Sequence, residues 1–201
     1  MYITSIRPRR KSLSAVCTDE REEPYIIDTN VLSEQGIKAG TEISDEEILR
    51  LSRLSANRRA KDKALRLIEF RDHSESELRL KLLREYDGEA AEYAVDKMRE
   101  LGLIDDARFA RNYMTVLIET KKYSQARAAR ELWTKGIDRQ ITDMLLSEFE
   151  TDPSEQIKRI IEKRFTPLPE DEKGVRRMMN YLIRLGYSYG EITSVLKDFQ
   201  E

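Results

Sequence analysis

Seven cations carry the clearest chemical signal in this 201-residue sequence. Arg127, Arg130 and Lys135 fall in SQARAARELWTKG, and Lys173, Arg176, Arg177 and Arg184 fall in DEKGVRRMMNYLIRLG. At about 100° per residue, the first three share one side of a helix on which Glu131 is the only acid. The other four lie within an arc of about 100°, and no acid stands between Lys173 and Gly190. Lys121 and Lys122 precede the first group. Guanidinium and ammonium groups so arranged make and break no bonds; they attract carboxylates and phosphates. One cationic helix face is ordinarily just solvated. Its recurrence on a second helix points to a contact surface for an acidic partner.

The segment Ile104–Ile137 must position the first group. Asp105 suits an N-cap, since its carboxylate can accept from the unpaired N–H groups of the first turn. Phe109, Ala110, Tyr113, Met114 and Leu117 then form one apolar stripe. Lys121 and Lys122 close the helix at its negative end. Ser124 caps a second helix, and Gly136 ends it in the left-handed conformation. On that helix Ala126, Ala129, Leu132 and Trp133 are expected to face inward. The second cationic group sits opposite Val175, Met178, Met179, Leu182 and Leu185.

Similar cassettes flank this one. In the first, a helix over about residues 58–71 leads to a Ser74/Glu77 capping box. A helix carrying Leu78, Leu82, Leu83 and Tyr86 follows, then one carrying Ala91, Ala94, Val95, Met98 and Leu101 up to Gly102. The second closes with a helix over Asp138–Phe149. The third starts at Thr151-Asp152-Pro153, a cap with Pro in the first turn, and runs through Ser154–Phe165, Glu170–Leu185 and Ser188–Phe199. Gly88, Gly136 and Gly186 recur at intervals of 48 and 50 residues, each expected to end a middle helix. The N-terminal residues differ in style. Lys11–Cys17 and Tyr25–Leu32 read as strands, and Asp45–Leu54 as a short helix. The expected fold is mainly α: three tandem three-helix modules in an elongated, curved array, with a small β-rich N-terminal extension. The boundaries are 1–56 for the extension and 57–105, 106–151 and 152–201 for the modules.

Composition narrows the function. Charged residues make up 37% of the chain, yet the net charge is only −2. A dedicated duplex-DNA module is usually clearly basic, so any basic surface here is local. One Cys and one His preclude an internal disulfide and suit a reducing compartment. No apolar run reaches membrane length and no signal peptide is evident, so a cytoplasmic protein without a membrane partner is expected. Phosphate-binding loops, dinucleotide fingerprints and paired cysteines are absent from the sequence. Asp105 and Asp106 are adjacent but do not converge on one ion. No enzyme, cofactor or metal site is expected. Trp133 and the tyrosines could stack on bases, but their helical spacing places them in the core.

The chain resembles the RecX family, bacterial regulators of the RecA recombinase. The resemblance rests on Ile104-Asp105-Asp106-x-x-Phe109-Ala110-x-x-Tyr113, on Glu131-Leu132-x-x-Lys135-Gly136-Ile137, and on Arg71-x-x-Ser74-x-x-Glu77-Leu78-x-x-Lys81-Leu82. It implies binding along the groove of the RecA–single-stranded DNA filament and interference with filament extension, ATPase, coprotease function and strand exchange, within the SOS response and DNA repair. The partner implied is the RecA filament, approached by a monomer, with single- or double-stranded DNA as a further contact. Lys121, Lys122, Arg127, Arg130, Lys135, Lys173, Arg176, Arg177 and Arg184 are the candidate filament or DNA contacts. The alternative is a direct DNA-binding helical module, because short three-helix units can act as helix-turn-helix readers.

Overall fold

Residues 1–149 and 151–199 are described by the computed structural model of the protein. The expected end of the third module at Glu201 lies outside the described residues. Contacts divide the chain into two units, Met1–Ile104 and Asp105–Glu201.

The first unit opens with strands β1 (Ile3–Arg9), β2 (Leu13–Thr18) and β3 (Tyr25–Asp28), antiparallel and in that order. The strand β1 is not evident from periodicity. An irregularity between Ile3 and Ser5 breaks its alternation, and Pro8 counts against a strand except at an edge, where β1 lies. The strand β3 stops at Asp28, short of the expected Leu32. The Asp28 side chain accepts from the Asn30 N–H at 2.9 Å and starts α1 (Thr29–Glu34).

Ser44 then caps α2 (Asp45–Phe70), its hydroxyl accepting from the Glu47 N–H at 3.1 Å. This single helix replaces the two separate helices expected over 45–54 and 58–71, so the expected boundary between residues 56 and 57 falls inside it. Ser55-Ala56-Asn57 contains no Gly or Pro to stop a helix. The buried Ser55 hydroxyl accepts from the Asp28 N–H at 2.7 Å, tying the helix to the sheet. Two hydrophobic cores share α2. Ile48 and Leu51 pack with Ile3, Val16, Ile27 and Leu32 of the sheet region. Ala60 and Ala64 pack with Leu78, Leu82, Val95 and Met98 of α3 (Glu75–Leu82) and α4 (Gly88–Glu100). Gly88 does not end a helix: it is the first residue of α4, capped by Asp87, whose carboxylate accepts from the Ala90 N–H at 2.8 Å. The period expected from three glycines therefore holds only between Gly136 and Gly186.

The second unit contains two further trios. The first is α5 (Asp106–Thr115), α6 (Gln125–Thr134) and α7 (Arg139–Glu148), with a π-helical turn at Val116–Thr120 extending α5. Its core holds Phe109, Met114, Leu117, Leu132 and Leu145. The second is α8 (Pro153–Arg164), α9 (Glu172–Arg184) and α10 (Tyr189–Asp198), with Ile157, Ile161, Leu182, Ile192 and Val195 buried. The expected caps Asp105, Ser124 and Asp152 all receive first-turn N–H groups. The chain is thus mainly α, with three three-helix modules and a small N-terminal sheet.

Candidate functional site

The cationic helices α6 and α9 meet through the turn that follows α9. Gly186 sits there at φ +97°, a conformation that L side chains rarely adopt. Its carbonyl accepts from the Ser124 hydroxyl at 2.8 Å, and the Leu185 carbonyl accepts from the Ser124 N–H at 2.9 Å. Ser124 thus caps α6 and anchors the α9–α10 joint with one side chain. The buried Tyr187 hydroxyl lies 2.7 Å from Gln156 Oε1 and 3.2 Å from the Lys122 carbonyl, and burial pushes its pKa above the ordinary phenol value. Tyr123 packs against the cores of both trios.

This joint brings the two expected cationic groups together. Arg127, Arg130, Glu131 and Thr134 of α6 line a cleft of about 280 Å³ with Ile183, Arg184 and Gly186. A shallower hollow of about 590 Å³ continues along Lys173, Arg176, Arg177 and Asn180, sharing Ile183 and Arg184 with the first. Lys173, Arg177 and Arg184 are exposed and make no ion pair among the described residues. Arg176 pairs with Glu172 at 3.2 Å, with both side chains mostly in solvent, where such a pair contributes little.

The remaining candidates are placed differently. Arg127 is half-buried, its guanidinium 3.8 Å from the Tyr123 ring centroid and 3.2 Å from the Tyr123 hydroxyl. Glu131 lies 3.8 Å from its Nε. It braces the joint more than it faces solvent. Lys121 Nζ lies 5.7 and 5.6 Å from the Tyr113 and Tyr123 rings, and Lys135 Nζ is 5.9 Å from Tyr113. Lys122 is exposed and stands apart from the α6 row. It lines a cleft of about 540 Å³ with Gln156, Arg159, Lys163, Arg164 and Tyr181.

Sequence reasoning missed the α8 cations of that cleft. Arg164 stacks 4.4 Å from the Tyr181 centroid, and Arg159 is 78% exposed. The signal was present in KRIIEKR but was masked by Glu162 within it and Glu155 just before it. The inward face of α6 is also corrected. Ala128, Ala129 and Leu132 are buried, whereas Ala126 is exposed and Trp133 is 46% exposed. Two overlapping apolar stripes fit this helix, and the narrower one, centred on Leu132, faces the core. Trp133 is left at its margin beside Arg130 on the helical wheel.

Among the described residues no group of His, Cys, Asp and Glu could hold a metal ion, and no helix is long and apolar enough to cross a membrane. The arrangement offers charge and shape.

Comparison with known proteins gives a consistent picture. A family model for the first three-helix domain of RecX matches residues 60–98, and one for its second three-helix domain matches residues 105–146. The regulatory protein RecX of Serratia proteamaculans is 31% identical over 163 residues, covering 69% of this chain and 96% of that protein. That of Cronobacter sakazakii is 32% identical over 160 residues, covering 74% and 96%. The Clostridioides difficile protein of the same name is 28% identical, covering 80% and 77%. A crystal structure of a regulatory protein RecX matches with a TM-score of 0.64 at 22% identity over 98% of both chains. RecX from Lactobacillus salivarius matches at 0.59 and 21% identity, over 72% of this chain and 97% of that one. These two likenesses show the fold.

Proposed function

The chain belongs to the RecX family of regulatory proteins, and we propose that it binds the RecA–single-stranded DNA filament and restrains it. The processes restrained are filament extension, ATP hydrolysis, coprotease activity and strand exchange. The observation that carries this reading is the placement of Arg130 and Arg184 in one cleft, continuous with Lys173 and Arg177 along α9. A row of cations held by two helices presents a rigid positive surface to an acidic polymer. Lys173, Arg177 and Arg184 make no ion pair among the described residues, so they give up none on binding, and they attract at a distance that salt shortens. The action is steric and electrostatic, and no bond is made or broken.

Titration of the protein into RecA, with and without single-stranded DNA, tests the proposal. Binding that requires the filament, together with a fall in DNA-dependent ATP hydrolysis and strand exchange, is the expected result. Unchanged RecA activities at saturating protein would refute it. The exposed α9 residues Arg177 and Arg184, which make no ion pair among the described residues, also suit a direct DNA-binding role. That reading takes precedence if affinity for DNA alone matches affinity for the filament and falls as steeply with salt.

A further inference from the structure

The β1–β2 hairpin of the first unit carries a charge pattern that the cationic α6–α9 surface does not explain. No acid occurs before Asp19, whereas Arg7, Arg9, Arg10 and Lys11 fall within five consecutive residues. All four are exposed and make no ion pair among the described residues. The opposite end of the sheet is the reverse, with Asp19, Glu20, Glu22 and Glu23 in the β2–β3 turn. Strand β2, about 20 Å long at 3.3 Å per residue, separates a positive end from a negative one.

Register fixes where the arginines point. Arg9 pairs with Leu13, Arg7 with Ala15, and Ala15 with Ile26. Alternate residues share a face, so Arg7 and Arg9 stand beside Leu13, Ala15 and Ile26 on the face turned away from Val16 and Ile27, which lie in the core. Pro8, Arg9, Arg10, Leu13 and Ile26 line a shallow hollow of about 670 Å³ there. Lys11 belongs elsewhere: it lines a separate cleft that also holds Asp28, Asp62 and Glu85.

The tip is held in place. Lys11 and Ser12 adopt φ of 61° and 56°, left-handed backbone that costs non-glycine residues about 1 kcal/mol or more each. The Thr29 N–H donates to the Ser12 carbonyl at 2.8 Å, and the Ser14 and Thr29 hydroxyls are 2.9 Å apart. A preformed tip loses little freedom when it is occupied.

We propose that Arg7, Arg9 and Arg10 form a second binding site, for the phosphodiester backbone of nucleic acid. Arginine forks match phosphate oxygens, and β1 is an edge strand of the sheet, so its exposed arginines have an open flank along which a phosphate backbone can run. An acidic protein surface fits less well. Protein interfaces centre on buried aromatic anchors, which the hollow lined by Pro8, Arg9, Arg10, Leu13 and Ile26 does not offer, and Pro8 on the edge strand blocks addition of a partner strand. This site stands independently of the proposed filament surface.

The test uses the full chain, without RecA, and labelled single-stranded and duplex DNA read by fluorescence anisotropy across a salt series. Replacing all three residues (Arg7→Gln, Arg9→Gln, Arg10→Gln) should weaken binding about tenfold and reduce the salt slope by about 2 for single strands or nearly 3 for duplex. The corresponding Lys replacements should keep the slope, as should Glu22→Gln with Glu23→Gln at the other end of the sheet. If the triple variant melts lower than the parent, Arg10→Gln alone should still reduce the slope by about 0.7 to 0.9. The same increments should appear in an Arg176→Gln, Arg177→Gln background, which separates this site from the α9 surface. An unchanged slope on both DNAs would overturn the proposal. So would an equal, hairpin-dependent affinity for a poly-glutamate peptide, which would assign the site to acidic protein.

Discussion

The Ser124 hydroxyl donates to the Gly186 carbonyl at 2.8 Å across 62 residues of sequence. The cap of a helix in one trio is thereby the anchor for a turn in the next. A Cβ added to Gly186 would lie 2.5 Å from both Arg127 Cβ and Ser124 Oγ, and φ there is +97°. Gly186→Ala should lower unfolding free energy by about 3 kcal/mol, combining backbone strain with a collision. Gly102 has φ +66°, and a Cβ added there would meet nothing within 4 Å, so Gly102→Ala should cost only about 1 kcal/mol. Urea titration of both variants checks the difference.

Arg127 and Arg177 should separate bracing from binding. Arg127 stacks at 3.8 Å on Tyr123, whereas Arg177 is exposed on α9. Arg127→Gln is expected to destabilise the protein by about 1–2 kcal/mol through the lost cation–π contact. Arg177→Gln should stay within about 0.5 kcal/mol of the parent and instead weaken filament binding. Melting and binding measured side by side decide between the two roles.

Charge reversal in the shared cleft is the sharper test of the filament surface. Arg130 and Arg184 line the same space. Arg130→Glu with Arg184→Glu should weaken filament binding about tenfold or more, with helicity by circular dichroism unchanged. Arg176→Glu with Arg177→Glu should act in the same direction. Arg127→Glu with Arg130→Glu should also lower the melting temperature, because Arg127 is engaged internally.

His73 gives the first unit a pH response. It is buried, with Nδ1 2.8 Å from the Arg71 carbonyl and Nε2 2.9 Å from Lys81 Nζ. These partners fix a neutral ring that donates from Nδ1 and accepts at Nε2. Burial first, then the charges of Arg71 and Lys81, hold its pKa below the ordinary 6.5, against an opposing hydrogen bond to Arg71. The unfolded chain therefore takes up this proton at a higher pH than the folded chain. Stability is unaffected well above 6.5 and declines as pH falls through 6.5 towards the folded-state value. Urea midpoints at about pH 7.5 and 5.5 should differ more for the parent than for His73→Gln.

The helical trios were legible because their signals are local. Asp105, Ser124, Asp152 and Pro153 mark starts, and Gly136 and Gly186 mark stops, each through the hydrogen bonds of its own turn. What escaped was set by tertiary context. The bulge after Ile3 hid β1, and α2 runs unbroken past Ser55, whose hydroxyl is engaged by the Asp28 N–H of the sheet. The cationic rows on α6 and α9 were visible from spacing, but their convergence on one cleft was not, because it depends on a turn at Gly186 meeting a cap at Ser124. Arg127 illustrates the limit: its position on the helical wheel matches Arg130, yet the neighbouring Tyr123 ring claims it. The α8 cations were obscured by neighbouring glutamates, one of which, Glu155, lies 4.0 Å from Arg159 on the same helix.

The 26 residues of α2 make a rod about 39 Å long at 1.5 Å per residue. One half is embedded beneath the sheet and the other within the first helical trio. The extension is therefore no pendant on a tether. Its arginine-tipped hairpin inherits a fixed bearing from the trio, and heat or protease should find no weak seam between them, only a single cooperative body that opens as a whole.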